Sequence, residues 1–118
     1  MKESKRIKRV NSLLKEVISD VIRHEVDNPN ISPLITITKV ETSLDLRNAT
    51  VYISIFGDEK SQEATLDGLK KSAKFIAIIS SKKIVLKYFP AIFFKIDNSA
   101  EKHQKIETIL NEIKSNDN

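Results

Sequence analysis

The chain contains no cysteine, which excludes both a disulfide framework and a thiolate metal site. Its two histidines, His24 and His103, make no His-x-x-x-His pair of the kind that holds zinc. Glycine occurs only at Gly57 and Gly68, so no Gly-rich phosphate loop can be written through the chain. Nor does any serine sit in a Gly-x-Ser-x-Gly elbow. No segment approaches the ~20 uninterrupted apolar residues of a membrane span. Basic residues open the chain, but no apolar stretch with a small-residue cleavage site follows them, so a secretory signal is not expected. Together with the missing cysteines, this makes the cytoplasm the natural expectation. Nothing here assembles a positioned acid and base, so the chain reads as no enzyme, with no cofactor, no metal and no small-molecule substrate.

Charge is plentiful and unevenly distributed. Residues 68–96 hold Lys70, Lys71, Lys74, Lys82, Lys83, Lys87 and Lys95 and not one acid. The first ten residues add Lys2, Lys5, Arg6, Lys8 and Arg9 against Glu3. These two segments carry +11 between them while the whole chain is only +4, so the remainder sums to −7. A molecule divided in this way can turn one face to a polyanion. Nucleic acid is the first partner to consider, an anionic membrane surface the second, and the plain alternative is a solvated lysine-rich face.

At 118 residues, one domain with one core is expected. Between positions 4 and 26 the apolar residues Ile7, Val10, Leu13, Leu14, Val17, Ile18, Val21 and Ile22 fall at helical spacing, and this stripe reads as core packing. Asn28-Pro29-Asn30 and Ser32-Pro33 stop the helix. Residues 34–43 and 49–56 alternate with period two and read as an antiparallel hairpin. In the second strand, Ala49, Val51, Ile53 and Ile55 share a buried face. The first strand shifts phase between Ile37 and Val40, which predicts a bulge near Thr38 and Lys39. Ser61 is placed as the cap of a second helix from about Gln62. Leu66, Leu69, Ala73 and Ile76 continue its stripe, whereas Ile78, Ile79 and Ile84 drift out of phase, so a kink is placed between Ser72 and Phe75. Pro90 leads into a third strand, residues 91–97, and Ser99 caps a last helix with His103, Ile106, Leu110 and Ile113 on one side. The predicted order is α-β-β-α-kink-α-β-α.

The candidate phosphate contacts are Lys5, Arg6, Lys8, Arg9, Lys70, Lys71, Lys74, Lys82, Lys83 and Lys87. Lysine is a point charge without the fixed fork of arginine, which suits contact with a backbone more than base reading. Tyr52, Tyr88 and Phe89 have the rings to stack on bases, but core or boundary packing is the preferred reading for all three.

The runs Arg6-Ile7-Lys8-Arg9-Val10-Asn11-Ser12-Leu13-Leu14, residues 35–46 with 49–57, and Pro90-x-x-x-Phe94-x-x-Asp97-x-Ser99 resemble bacterial ribosome-binding factor A. The match runs in order over nearly the whole chain. This resemblance implies an α+β, type II KH-like fold, with a three-stranded sheet covered by helices on one face. It also implies a non-catalytic factor that binds the free small (30S) ribosomal subunit and 16S rRNA, assists late maturation and 5′-end processing, and is associated with growth in the cold. Ordinary KH domains carry a Gly-x-x-Gly loop between the central helices, where this family has an Ala-x-Gly-type kink. The corresponding run here is Ser72-Ala73-Lys74, with Lys74 at the usual glycine and Ala77 where a basic residue is common.

Two other readings stand beside this one. An interaction module would dock a basic partner on the acidic remainder and leave its lysines solvated. A small hydrolase or nuclease would need an acid such as Asp45 or Asp97. Nothing in the chain demands more than a monomer.

Overall fold

The computed structural model describes residues 4–99. The first helix, α1 (Lys5–His24), begins where Ser4 accepts a hydrogen bond on Oγ from the Ile7 amide at 3.1 Å. This capping bond satisfies one of the amides that a helix start leaves without an intrahelical partner. Its buried stripe is Ile7, Val10, Leu14, Val17, Ile18, Val21 and Ile22, as the spacing predicts, while Leu13 is half-buried.

Strands β1 (Ile35–Thr42) and β2 (Asn48–Ile55) pair antiparallel, with Ile37 opposite Ile53 and then Lys39 opposite Tyr52. Thr38 is therefore the extra residue of a bulge. Ile37 and Val40 lie three positions apart and both point into the core, which an unbroken period of two forbids. The connecting turn closes with the Leu46 amide on the Ser43 carbonyl at 2.9 Å. Leu46 takes φ 60°, which costs a non-glycine residue about 1–2 kcal/mol. Offsetting this, its side chain packs on the core, and the Asp45 carboxylate accepts from the Ser43 hydroxyl and the Arg47 amide.

The second helix, α2 (Glu59–Ser81), starts three residues before the predicted position. Its cap is Asp58, whose carboxylate accepts from the Ser61 amide at 2.8 Å, so Ser61 lies inside the first turn. The helix is unbroken through Ser72, Ala73 and Lys74, and the two helices expected either side of a kink are one element. Neither proline nor glycine stands at 72–74, and lysine is a far better helix former than glycine. The out-of-phase isoleucine is accommodated differently, since Ile78 is left exposed.

Strand β3 (Ala91–Ile96) pairs parallel with β2, giving the order β1-β2-β3 with α2 as the crossover. Ala49, Val51, Ile53 and Ile55 meet Ile37, Val40, Ile92 and Phe94 on one face of the sheet, and both helices cover that face. The α1–β1 loop is pressed onto α2 at Gly68, where an added Cβ would sit 3.0 Å from Ile31 Cγ1. Close by, the fully buried Thr65 accepts on Oγ1 from the Ser32 amide at 3.1 Å and donates to the Asn30 carbonyl at 3.3 Å. The predicted last helix, with His103, Ile106, Leu110 and Ile113, lies outside the described residues.

Candidate nucleic-acid interface

All ten candidate cations are exposed. At the start of α1 the first turn contains basic residues and no acid, the reverse of what the positive end of a helix dipole favours. Stability therefore gives no account of Lys5, Arg6 and Lys8 there. Asn11 accepts from the Thr42 amide at 3.0 Å, so this end of α1 lies toward the hairpin end of the sheet. Strand β3 begins at the same end, with the Ala91 amide on the Arg47 carbonyl at 2.9 Å. Arg47, also exposed, adds a cation that the sequence reading did not single out.

On α2 and its C-cap, Lys71, Lys74, Phe75, Ile78 and Lys82 are all exposed and fall at helical spacing along one stripe. Phe75 and Ile78 are 47% and 56% accessible, so two apolar side chains lie among three amines. Neither was recognised from the sequence as a surface residue: the spacing marks Ile78 only as out of phase with the buried stripe, and Phe75 only as a bound of the kink.

Ion pairing divides the set. Lys71 Nζ lies 3.0 Å from Asp67, one turn back, and Lys83 Nζ lies 3.7 Å from Asp20 and 3.5 Å from Glu25. Among the described residues no acid pairs with Lys5, Arg6, Lys8, Arg9, Lys70, Lys74, Lys82 or Lys87. These eight keep their charge available to an outside anion.

The three candidate rings part company. Phe89 is half-buried against the core, in line with the packing expectation. Tyr52 lies on the sheet face opposite α1 and α2, where its hydroxyl donates to Glu41 at 3.2 Å and Lys39 Nζ sits 4.6 Å from its ring centre. Desolvation, then the neighbouring Glu41, pushes the Tyr52 hydroxyl pKa up. Tyr88 departs from the expectation, being 76% accessible with Lys87 Nζ 5.6 Å from its ring centre.

The acids that a hydrolytic reading would need have structural partners. Hydrogen bonds from Ser43 and the Arg47 amide lower the Asp45 pKa. Asp97 accepts from the Ser99 hydroxyl at 2.6 Å, the Ser99 amide at 2.9 Å and the Thr38 hydroxyl at 2.6 Å, which hold its carboxyl at about 2. Thr38 is the bulge residue, so the Asp97-x-Ser99 pair ties the end of β3 to the irregularity in β1. Among the described residues, no group of three or more His, Asp or Glu is arranged to hold a metal ion.

Among the described residues, a mixed three-stranded sheet with both helices packed on one face defines an α+β domain of the type II KH-like class. Residues 6–110 match the family model for ribosome-binding factor A. The chain is 50% identical to the ribosome-binding factor A of Protochlamydia amoebophila over 108 residues, 92% of this chain and 82% of that protein. A solution structure of a putative ribosome-binding factor A from Thermotoga maritima superposes with a TM-score of 0.69 at 25% identity, covering 80% of this chain and 90% of that one. A homology model of the Thermus thermophilus factor, fitted into an electron-microscopy map of a 30S–RbfA complex, gives 0.62 at 19% identity, covering 75% and 91%. The chain belongs to the ribosome-binding factor A family.

Proposed function

We propose that this chain is a non-catalytic maturation factor that binds the free small ribosomal subunit through 16S rRNA and assists late assembly and 5′-end processing. The observation that carries the RNA contact is the array of exposed cations that pair with no acid among the described residues: Lys70 and Lys74 on α2, Lys82 at its C-cap and Lys87 beyond it. Family membership and the small-subunit complex of the Thermus relative support the choice of particle. The factor acts as a monomeric single domain in the cytoplasm, by preferring an immature RNA conformation and shifting its population. The amines neutralise phosphates, so affinity falls steeply with salt. Phe75 and Ile78 give the same stripe an apolar contact that survives higher salt.

Sedimentation of the purified protein with free small subunits, large subunits and assembled ribosomes tests this reading, at low and moderate salt with competitor RNA. Selective pelleting with free small subunits in the presence of competitor is the expected result. Equal pelleting with every particle, lost together as salt rises, would reduce the protein to a generic polyanion binder.

A further inference from the structure

The stripe on α2 leaves a second cationic surface unexplained, on the opposite flank of α1. Two clefts, of about 460 Å³ and 420 Å³, share Lys15 and follow α1 alongside β1. Ile22, Val26, Ile31, Ile35 and Ile37 line the larger one, and no aromatic ring takes part in either. Lys8, Lys15 and Arg23 line these clefts from α1, and all three are exposed. Among the described residues no acid pairs with them. The acids of α1, Glu16 and Asp20, line a neighbouring cleft with Lys83, which Arg23 also borders, so Arg23 stands at the boundary of the two while Lys8 and Lys15 line only the α1–β1 side. Within these clefts the one acid is Glu41, which is held by Lys39 at 3.3 Å and by Tyr52.

The other wall is β1, the outer strand of the sheet, whose far side has no strand partner among the described residues. An open edge offers a row of amides and carbonyls to an incoming extended chain. The bulge at Thr38 interrupts that row, so the usable stretch is residues 35–37, beside the deeper cleft. Single-stranded nucleic acid would look for rings to stack on, and this groove has none. An aliphatic floor, a strand edge and a cationic rim match a peptide better.

We propose that the α1–β1 groove docks an extended acidic segment of a partner protein, which adds to β1 as a fourth strand. Its alternate apolar side chains enter the cleft between Ile22 and Ile37, and its carboxylates meet Lys8, Lys15 and Arg23. This surface is separate from the α2 stripe and does not depend on the RNA reading.

The probe is a fluorescein-labelled eight-residue peptide of alternating glutamate and isoleucine, titrated into the full chain by anisotropy and by amide chemical shifts. Saturable binding is expected, with the largest shifts at Ile35, Thr36 and Ile37. Lys15→Glu with Arg23→Glu should weaken it about tenfold, while Lys60→Glu, a charge reversal at the start of α2, changes it less than about twofold. A second probe N-methylated at alternate amides needs no protein variant, and loss of its binding is the expected result. The proposal is overturned if the methylated peptide binds equally well, if the β1 amides do not shift, or if octauridylate shifts them at lower concentration than the peptide.

Discussion

Replacing Thr65 by valine keeps the shape of a fully buried side chain and deletes two hydrogen bonds that hold the α1–β1 loop on α2. Each bond contributes about 0.5–1.5 kcal/mol net, and the partners left behind resist burial without water. The Ser32 amide and the Asn30 carbonyl belong to a part-buried loop, so some of that penalty is relieved by solvent. A loss of about 2–3 kcal/mol is therefore expected. In a chain of this length that corresponds to a fall in Tm of roughly 8–20 °C. Urea unfolding followed by circular dichroism gives the stability, and hydrogen exchange at Ser32 reports whether the loop has been released. Thr65→Ser keeps both bonds and should cost only about 1 kcal/mol for the lost methyl group. A valine variant within about 0.5 kcal/mol of the parent, with Ser32 exchange unchanged, would refute the role assigned to Thr65. The loop also lines the α1–β1 groove through Asn28, Ile31 and Ser32, so the valine variant should weaken peptide docking as well.

Three further outcomes are expected. The Ser80 hydroxyl is buried and has no hydrogen-bond partner among the described residues, so Ser80→Ala should raise stability by about 0.5–2 kcal/mol in the same urea assay; a loss would contradict it. The Asp97 carboxyl is depressed from an ordinary 3.8 to about 2, so its contribution to folding is complete above pH 3.8 and disappears as pH falls through about 2. Carbon-detected titration should give that midpoint and show it rising in Thr38→Val; a midpoint unmoved by the substitution would mean that the bulge hydroxyl does not hold the carboxylate. For RNA affinity measured across salt, Lys74→Ala should flatten the log–log slope by about 0.7–0.9, whereas Lys83→Ala should change it less because Asp20 and Glu25 already pair with Lys83.

The helices and strands were legible because each is a local periodic pattern. Ile37 and Val40 even betrayed the bulge, since residues three apart cannot share a strand face without one. The kink between Ser72 and Phe75 was read from the same kind of signal and came out differently. A phase drift has two remedies, breaking the helix or leaving a residue exposed, and only the surrounding packing selects between them. Capping by Asp58 instead of Ser61 has a similar origin, because both side chains can cap and the chain direction after Gly57, with φ 148°, decides which amides lie in reach. The candidate site was legible as a charge distribution and incomplete as a surface. Lys71 and Lys83 were counted with the rest, although Asp67 and Asp20 hold them. Arg47 was overlooked because it stands alone in its stretch of sequence.

By itself, the sequence determined the composition of the molecule: which segments are helix or strand, which faces are apolar, and that residues 68–96 hold seven lysines and no acid of their own. Those properties depend on neighbours within a few residues. The tertiary structure decided the β1-β2-β3 order, the parallel pairing of β3 with β2, the exposure of Phe75 and Ile78, and the pairing of Lys83 with Glu25, 58 residues away. It also placed Lys8, Lys15 and Arg23 along the clefts beside β1 and Glu16 and Asp20 beside Lys83. Such outcomes depend on which distant groups the shared core brings within a few ångströms of one another, and no periodicity along the chain encodes that distance.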